Sequence, residues 1–76
     1  MNRTLMKSAP IYRIWVVAYD DWRPLSWHQR PPEGRMLELA DDACFSRRQA
    51  RAFLQGFNSQ MLQAPQKRWA VAVPVR

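Results

Sequence analysis

The feature that most constrains the fold is a run of β-branched and aromatic residues from Ile11 to Asp20. Such residues favour a strand because their side chains pack well on a pleated surface. Successive side chains of a strand point to opposite faces, so we expect a central strand whose wholly apolar face packs on the core. The apolar face consists of Tyr12, Ile14, Val16 and Ala18, and the second, mixed face consists of Ile11, Arg13, Trp15, Val17 and Tyr19.

Residues 20–34 follow as a long loop, called here the Trp/Pro loop, because they contain prolines and no periodic apolar pattern. A loop of this length in a compact domain is either functional or disordered. Alternating residues over 35–40 then predict a second strand. The segment from Lys67 to Val75 predicts a third, with Pro74 at a sheet edge or at the strand's end because proline has no N–H to donate.

A helix is predicted from Ser46 to about Gln63. Ser46 precedes Gln49 by three residues, the spacing at which each side chain can bond the other's free backbone N–H. Pro65 ends the segment. Gly56 is costly inside a helix, and we interpret it as a mark of close approach between helix and sheet. The apolar residues that recur at helical spacing are Ala50, Phe53, Leu54, Phe57, Met61 and Leu62.

Together these elements predict an α+β fold with the order strand, strand, helix, strand. A helical crossover leaves the second and third strands parallel. The first strand then fits between them, antiparallel to both, in a three-stranded sheet of order 2-1-3. One amphipathic helix would cover one face of the sheet. The other face would stay uncovered and would display Arg13, Trp15 and Tyr19.

The chain is short, which limits both its core and its chemistry. At 76 residues it is expected to form one domain, with residues 1–10 as a disordered arm. Its core is thin, and a homodimer would be one way to bury more surface. A single cysteine and a single histidine exclude an intrachain disulfide and a cysteine metal cluster, and no cofactor is expected. With no secretory signal and no apolar span, we expect a cytoplasmic protein without a membrane partner.

Charge is distributed unevenly along the chain. Twelve Lys and Arg residues against six acids give a net charge of +6, and every acid lies between Asp20 and Asp42. Residues 43–76 carry cations and no acid, so one part of the domain is a source of positive potential. Nucleic acid, another polyanion or an acidic protein is the natural partner of such a field, although coding bias and solubility would also account for it.

The start of the predicted helix carries the sharpest local feature, the cluster Arg47, Arg48 and Arg51. Cations there oppose the helix dipole. An anion bound at this end would be stabilised by free N–H groups and by three guanidinium groups together. Alternatively, Asp41 and Asp42, just upstream, neutralise the cluster.

Two aromatic regions offer further binding candidates. Arg13, Trp15 and Tyr19 are the residue types on which single-stranded bases stack, but the same types are enriched in dimer interfaces. The Trp/Pro loop could clamp a nucleotide or a partner peptide, or its two Trp side chains could fold back onto the core. Its candidate ligands are Trp22, Arg23, Trp27 and Arg30.

Catalysis has little support in the sequence. Cys44 and His28 lie in no recognised catalytic signature, although a pair formed by them and assisted by Asp41 or Asp42 is conceivable because a helix start lowers a thiol's pKa. Adjacent acids such as Asp41 and Asp42 are usually solvated turn residues. We therefore predict that the chain is not an enzyme.

Parts of the C-terminal half resemble short uncharacterised bacterial proteins of α+β type. The resemblance is carried by Phe57 and Asn58, Trp69 to Val71, and Pro74 and Val75. It supports the order of the elements, departs in the Trp/Pro loop and implies no activity. The sequence thus predicts a basic, non-enzymatic binding module for nucleic acid or another polyanion. The alternative is a protein interaction or homodimerisation domain that uses the second face of the first strand.

Overall fold

The structure, a computed structural model, describes residues 10–32, 37–39, 43–64 and 67–75. In chain order its elements are β1 (Ile11–Ala18), β2 (Leu37–Leu39), β3 (Phe45–Ser46), α1 (Arg47–Gln63) and β4 (Arg68–Val75). The predicted α+β class is therefore confirmed. The predicted N-terminal arm lies outside the described residues except for residue 10. Within the described part of the chain, no helix is both long and apolar enough to cross a membrane.

The strand β1 is the centre of an antiparallel sheet. β4 pairs with it along its whole length, from Ile11 opposite Val75 to Ala18 opposite Arg68. Because β2 and β3 pair with stretches of β1 that already pair with β4, both must lie on the other edge of β1. β2 and β4, which correspond to the predicted second and third strands, are each antiparallel to β1 and so run parallel to one another. The predicted order, with the first strand between the second and the third, is thus confirmed.

Two short strands, β2 and β3, pair with the edge of β1 opposite to β4. Residues 37–39 of the predicted strand over 35–40 are confirmed as β2, and residues 35, 36 and 40 lie outside the described residues. The strand β3 follows and was not predicted. Leu37 lies opposite Val17, and Phe45 lies opposite Tyr12. Eight steps along the chain lead from Leu37 to Phe45, whereas only five lead from Tyr12 to Val17, so the connection between β2 and β3 is three residues longer than the stretch of β1 beside it.

The helix α1 begins where its cap predicted. Ser46 Oγ accepts a hydrogen bond from the Gln49 N–H at 3.2 Å, and Gln49 Oε1 accepts one from the Ser46 N–H at 3.1 Å. α1 covers the apolar face of β1, where Ile14, Ala50 and Ala70 form a buried cluster. The prediction that this face packs on the helix is confirmed.

The second face of the sheet is covered as well, which corrects the expectation that it stays open. Tyr19 is only 9% exposed and Trp69 is fully buried, in one cluster with Val17 and Val71. Trp22 of the Trp/Pro loop packs edge-on against both Tyr19 and Trp69, at ring-centroid distances of 5.4 and 5.8 Å. The physical reason is that a short chain gains burial by folding its own loop onto an apolar surface that water would otherwise contact.

The free edge of β4 is closed by side chains. The Asn58 side chain, which is fully buried on α1, accepts from the Ala70 N–H and donates to the Ala70 carbonyl, both at 2.8 Å. The Arg30 guanidinium donates to the Ala72 carbonyl at 3.0 Å. In an antiparallel strand the backbone N–H and C=O groups of alternate residues point toward the same neighbouring strand. The backbone groups of Ala70, Ala72 and Pro74 therefore all point away from β1. Pro74 therefore lies on a sheet edge, as predicted, where its missing N–H costs no ladder bond.

The interpretation of Gly56 is wrong. A Cβ atom added to Gly56 would meet nothing within 4 Å, and the residue is exposed. It therefore lies on the solvent side of α1 and permits no close approach to the sheet.

Candidate anion-binding site

The first helical residue, Arg47, is oriented by the sheet. Its Nε donates to the Tyr12 hydroxyl of β1 at 3.5 Å. This hydrogen bond, together with the charge interaction with the same phenol, raises the pKa of Arg47 above its ordinary value. The guanidinium is exposed and keeps its charge at every physiological pH.

One helical turn further on, Arg51 joins the helix to the Trp/Pro loop. Its guanidinium carbon lies 5.2 Å from the centre of the Trp27 ring, within the range of a cation–π interaction. The Trp27 backbone is held from the same side of the helix, because Asn58, two turns after Arg51, donates to its carbonyl at 2.8 Å. A helical arginine and a loop tryptophan are thus fixed together.

Arg30 completes the group at the same end of the sheet. Its guanidinium bonds to Ala72, which lies two residues before Pro74, and Pro74 is the β4 partner of Tyr12. The loop therefore runs along the free edge of β4 toward the start of α1. We call Arg30, Arg47, Arg51 and Trp27 the arginine patch.

The electrostatics of the arginine patch favour an anion. The contacts described above for its three guanidinium groups are with neutral partners: a phenol, an indole and a carbonyl oxygen. The first turn of α1 has no acidic residue, and its backbone N–H groups add the positive end of the helix dipole. Phosphate and carboxylate groups match the planar donor geometry of arginine. The proposed neutralisation by Asp41 and Asp42 falls on residues outside the described ranges and stays a prediction.

The other predicted ligands do not join the arginine patch. Arg48 is exposed in the first turn of α1, beside the patch in sequence. Arg13 and Trp15 are half-buried on the second face of the sheet, opposite the helix, and Tyr19 is buried there. The predicted stacking surface of Arg13, Trp15 and Tyr19 is therefore wrong at Tyr19, because that ring is packed against Trp22.

The two Trp side chains of the loop have different environments. Trp22 packs on the core, as the fold-back interpretation predicted. Trp27 is only half-buried and contacts His28 and Arg51. Trp22 and Arg23 lie at the other end of α1 and line a separate cleft. The loop candidates are thus divided between two places.

The candidate pair Cys44 and His28 is not brought together. Cys44 is exposed and directly precedes β3, on the edge of β1 opposite to β4. His28 lies in the loop along β4, where its Nδ1 is 3.2 Å from Ser26 Oγ. Within the described residues, no three His, Cys, Asp or Glu side chains are grouped so that they could hold a metal ion.

Sequence reasoning missed Asn58, which fixes the loop beside the arginine patch. A signal was present, because Asn58 interrupts the apolar stripe of α1 between Phe57 and Met61. A polar side chain on a buried stripe must find hydrogen-bond partners, and the unpaired edge of a strand supplies them.

Comparison with protein-family models, with curated proteins and with solved structures found no match to this chain. The resemblance to short bacterial α+β proteins therefore stays a prediction.

Proposed function

We propose that the chain is a small, non-enzymatic binding module for nucleic acid, and that single strands are its preferred ligand. The observation that carries this proposal is the contact between Arg51 and Trp27. It places a charged group suited to phosphate beside an aromatic ring suited to a base, with Arg47 one helical turn before Arg51 and Arg30 three residues after Trp27. A cytoplasmic location is part of the proposal, because Cys44 is an exposed free thiol.

Within the arginine patch, the arginines and the tryptophan suit different parts of a nucleotide. Arginine binds phosphate oxygens through paired N–H donors and supplies affinity without sequence preference. A base stacked on an aromatic side chain contributes about 1 to 3 kcal/mol, whichever base it is. Trp27 is half-buried, Asn58 binds its backbone carbonyl, and Arg51 lies over its ring. The ring is therefore already oriented before a ligand binds.

The preference for single strands follows from the shape of the site. Reading a duplex requires a helix or a two-stranded ribbon that can enter the major groove. The Arg51 side of α1 instead faces the Trp/Pro loop. A flexible single strand can follow the exposed guanidinium groups of Arg47 and Arg51 along the helix, whereas a duplex would have to displace the loop.

Fluorescence anisotropy tests the proposal with labelled oligonucleotides of about a dozen nucleotides. Three neutralised phosphates predict a log–log slope of affinity against salt of about −2 for a single strand. The double variant R47Q/R51Q should bring this slope close to −0.7, whereas R23Q/K67Q, a matched loss of two charges at the other end of α1, should leave the affinity within about twofold. No binding at low salt, or equal losses for both variants, would contradict the proposal.

The homodimer remains an alternative on a smaller surface. Val17 and Tyr19 are already buried within the chain. What is left of the second face is the end of β1 with Ile11, 40% exposed, and the half-buried Trp15. Light scattering at high concentration distinguishes a monomer from a dimer.

A further inference from the structure

A second site lies at the opposite end of α1, where the Trp/Pro loop begins and the helix ends. It is a cleft of about 470 Å³ whose walls include Tyr19, Trp22 and Leu25 from the loop side and Met61 and Leu62 from the helix. At a rise of 1.5 Å per residue, the last turn of α1 is roughly 20 to 25 Å from Arg47. The cleft is therefore separate from the arginine patch.

The cleft is lined more by apolar than by polar surface, and one wall is fixed. Trp22 is held by edge-on contacts with Tyr19 and the fully buried Trp69. Leu25 on one side is 84% exposed, and Leu62 on the other is 41% exposed. Large apolar side chains in water on both sides of a preformed cleft are typical of a site that accepts an apolar group from a partner.

The rim of the cleft specifies the charge of that partner. Two cations, Arg23 and Lys67, and one acid, Asp20, line the cleft, and the whole chain has a net charge of +6. Residues 1–9 of the chain carry Arg3 and Lys7 and no acid, so like charge disfavours them as occupants. An acidic segment with apolar side chains complements both the rim and the interior.

We propose that this cleft binds a short acidic, apolar peptide segment of a partner protein. One apolar side chain of the segment inserts between Trp22 and Leu62, and neighbouring carboxylates pair with Arg23 and Lys67. The chain would then carry two independent sites, one for nucleic acid and one for a protein partner, at opposite ends of one helix.

Three labelled peptides of equal length test this proposal by anisotropy: Asp-Glu-Leu-Phe-Asp-Leu, Asn-Gln-Leu-Phe-Asn-Leu and Asp-Glu-Ser-Ser-Asp-Ser. Only the first should bind well. L62E, at an exposed position, should weaken its binding by about tenfold or more, because it removes an apolar wall and adds a like charge. R23Q/K67Q should weaken it by at least about fivefold, whereas R48Q/R51Q, a matched loss of two charges at the other end of α1, should leave it within about twofold.

An NMR titration locates the bound peptide. The indole N–H resonance of Trp22 should shift on addition of the first peptide, while that of Trp27 stays in place. Equal binding of the acidic serine peptide would overturn the proposal, since general attraction to a basic protein would then suffice. Self-association abolished by L62E would also overturn it, because a second copy would be the occupant. Loss of nucleic-acid binding in R47Q/R51Q leaves this test unaffected, so the two proposals fail independently.

Discussion

At the scale of single residues, Asn58 links three parts of the molecule. Its amide bonds to both backbone groups of Ala70 and to the carbonyl of Trp27, and its side chain is fully buried. It stands where a neighbouring strand would otherwise pair, so it closes the edge of β4 and anchors the Trp/Pro loop. The sequence pattern reports only a polar residue in an apolar stripe, because its partners are far away in the chain.

We expect the substitution Asn58→Ala to lower the free energy of unfolding by about 3 kcal/mol or more. The two buried backbone groups of Ala70 and the part-buried carbonyl of Trp27 would lose their partner, and each loss of a buried partner costs about 1 to 3 kcal/mol. A domain of this size has a total stability of roughly 4 to 11 kcal/mol, so the loss would be large. Urea denaturation followed by tryptophan fluorescence measures it, with Gln55→Ala on the exposed side as the control, expected within about 0.5 kcal/mol. Equal stability of the two variants would refute this role of Asn58.

At the scale of elements, the helix is the part that the sequence predicts best. The cap at Ser46, the apolar stripe and the stop before Pro65 are local signals, and local signals do not depend on the rest of the fold. The short strand β3 was not predictable in the same way. Its pairing depends on a register against β1 in which Phe45 lies opposite Tyr12, a residue distant in sequence.

The exposed position of Gly56 gives a prediction at this scale. Gly56→Ala should raise the free energy of unfolding by about 0.5 to 1 kcal/mol, because alanine loses less backbone entropy in a helix and meets nothing within 4 Å. Thermal unfolding should show a rise of about 2 to 8 °C. The reverse change at an exposed helical alanine, Ala52→Gly, serves as the matched control and should lower the midpoint by a similar amount. A destabilised G56A would mean that this position is packed after all.

The helix cap yields a second element-scale prediction. Ser46→Ala removes the oxygen that accepts the Gln49 N–H and should destabilise the protein by about 1 kcal/mol. Ser46→Asp keeps an acceptor and should restore most of that loss. Chemical denaturation of the two variants compares them directly, and an S46A protein as stable as the parent would show that the cap is dispensable.

At the scale of the whole molecule, composition predicts a thin core but not how the chain enlarges it. The order of the strands was predictable from the helical crossover, and the face that meets the helix from strand periodicity. That Trp22 would cover Trp69 and Tyr19, while Trp27 would meet Arg51, was not, because no periodic pattern in the loop distinguishes the two tryptophans. Tertiary contacts decide which of them is core and which is available to a ligand.

The same contacts divide the basic charge of the molecule between two ends of α1. Arg30 and Arg51 gather near the start of the helix with Trp27, whereas Arg23 and Lys67 lie at its end. Sequence separation would have grouped Arg23 with Arg30, since both belong to the Trp/Pro loop. This distribution in space is the reason for proposing a different ligand at each end.

The central claim, that Trp27 and its arginine neighbours form one nucleic-acid site, is tested most directly by a double-mutant cycle on Trp27 and Arg51. Single-strand affinity is measured by anisotropy for the parent, W27L, R51Q and the double variant, with circular dichroism as the check on folding. We expect each single variant to weaken binding by about fivefold or more, and the double variant to lose less than the product of the two losses, because the residues act on the same nucleotide. Unchanged affinity in W27L, or losses that multiply fully, would contradict a shared site.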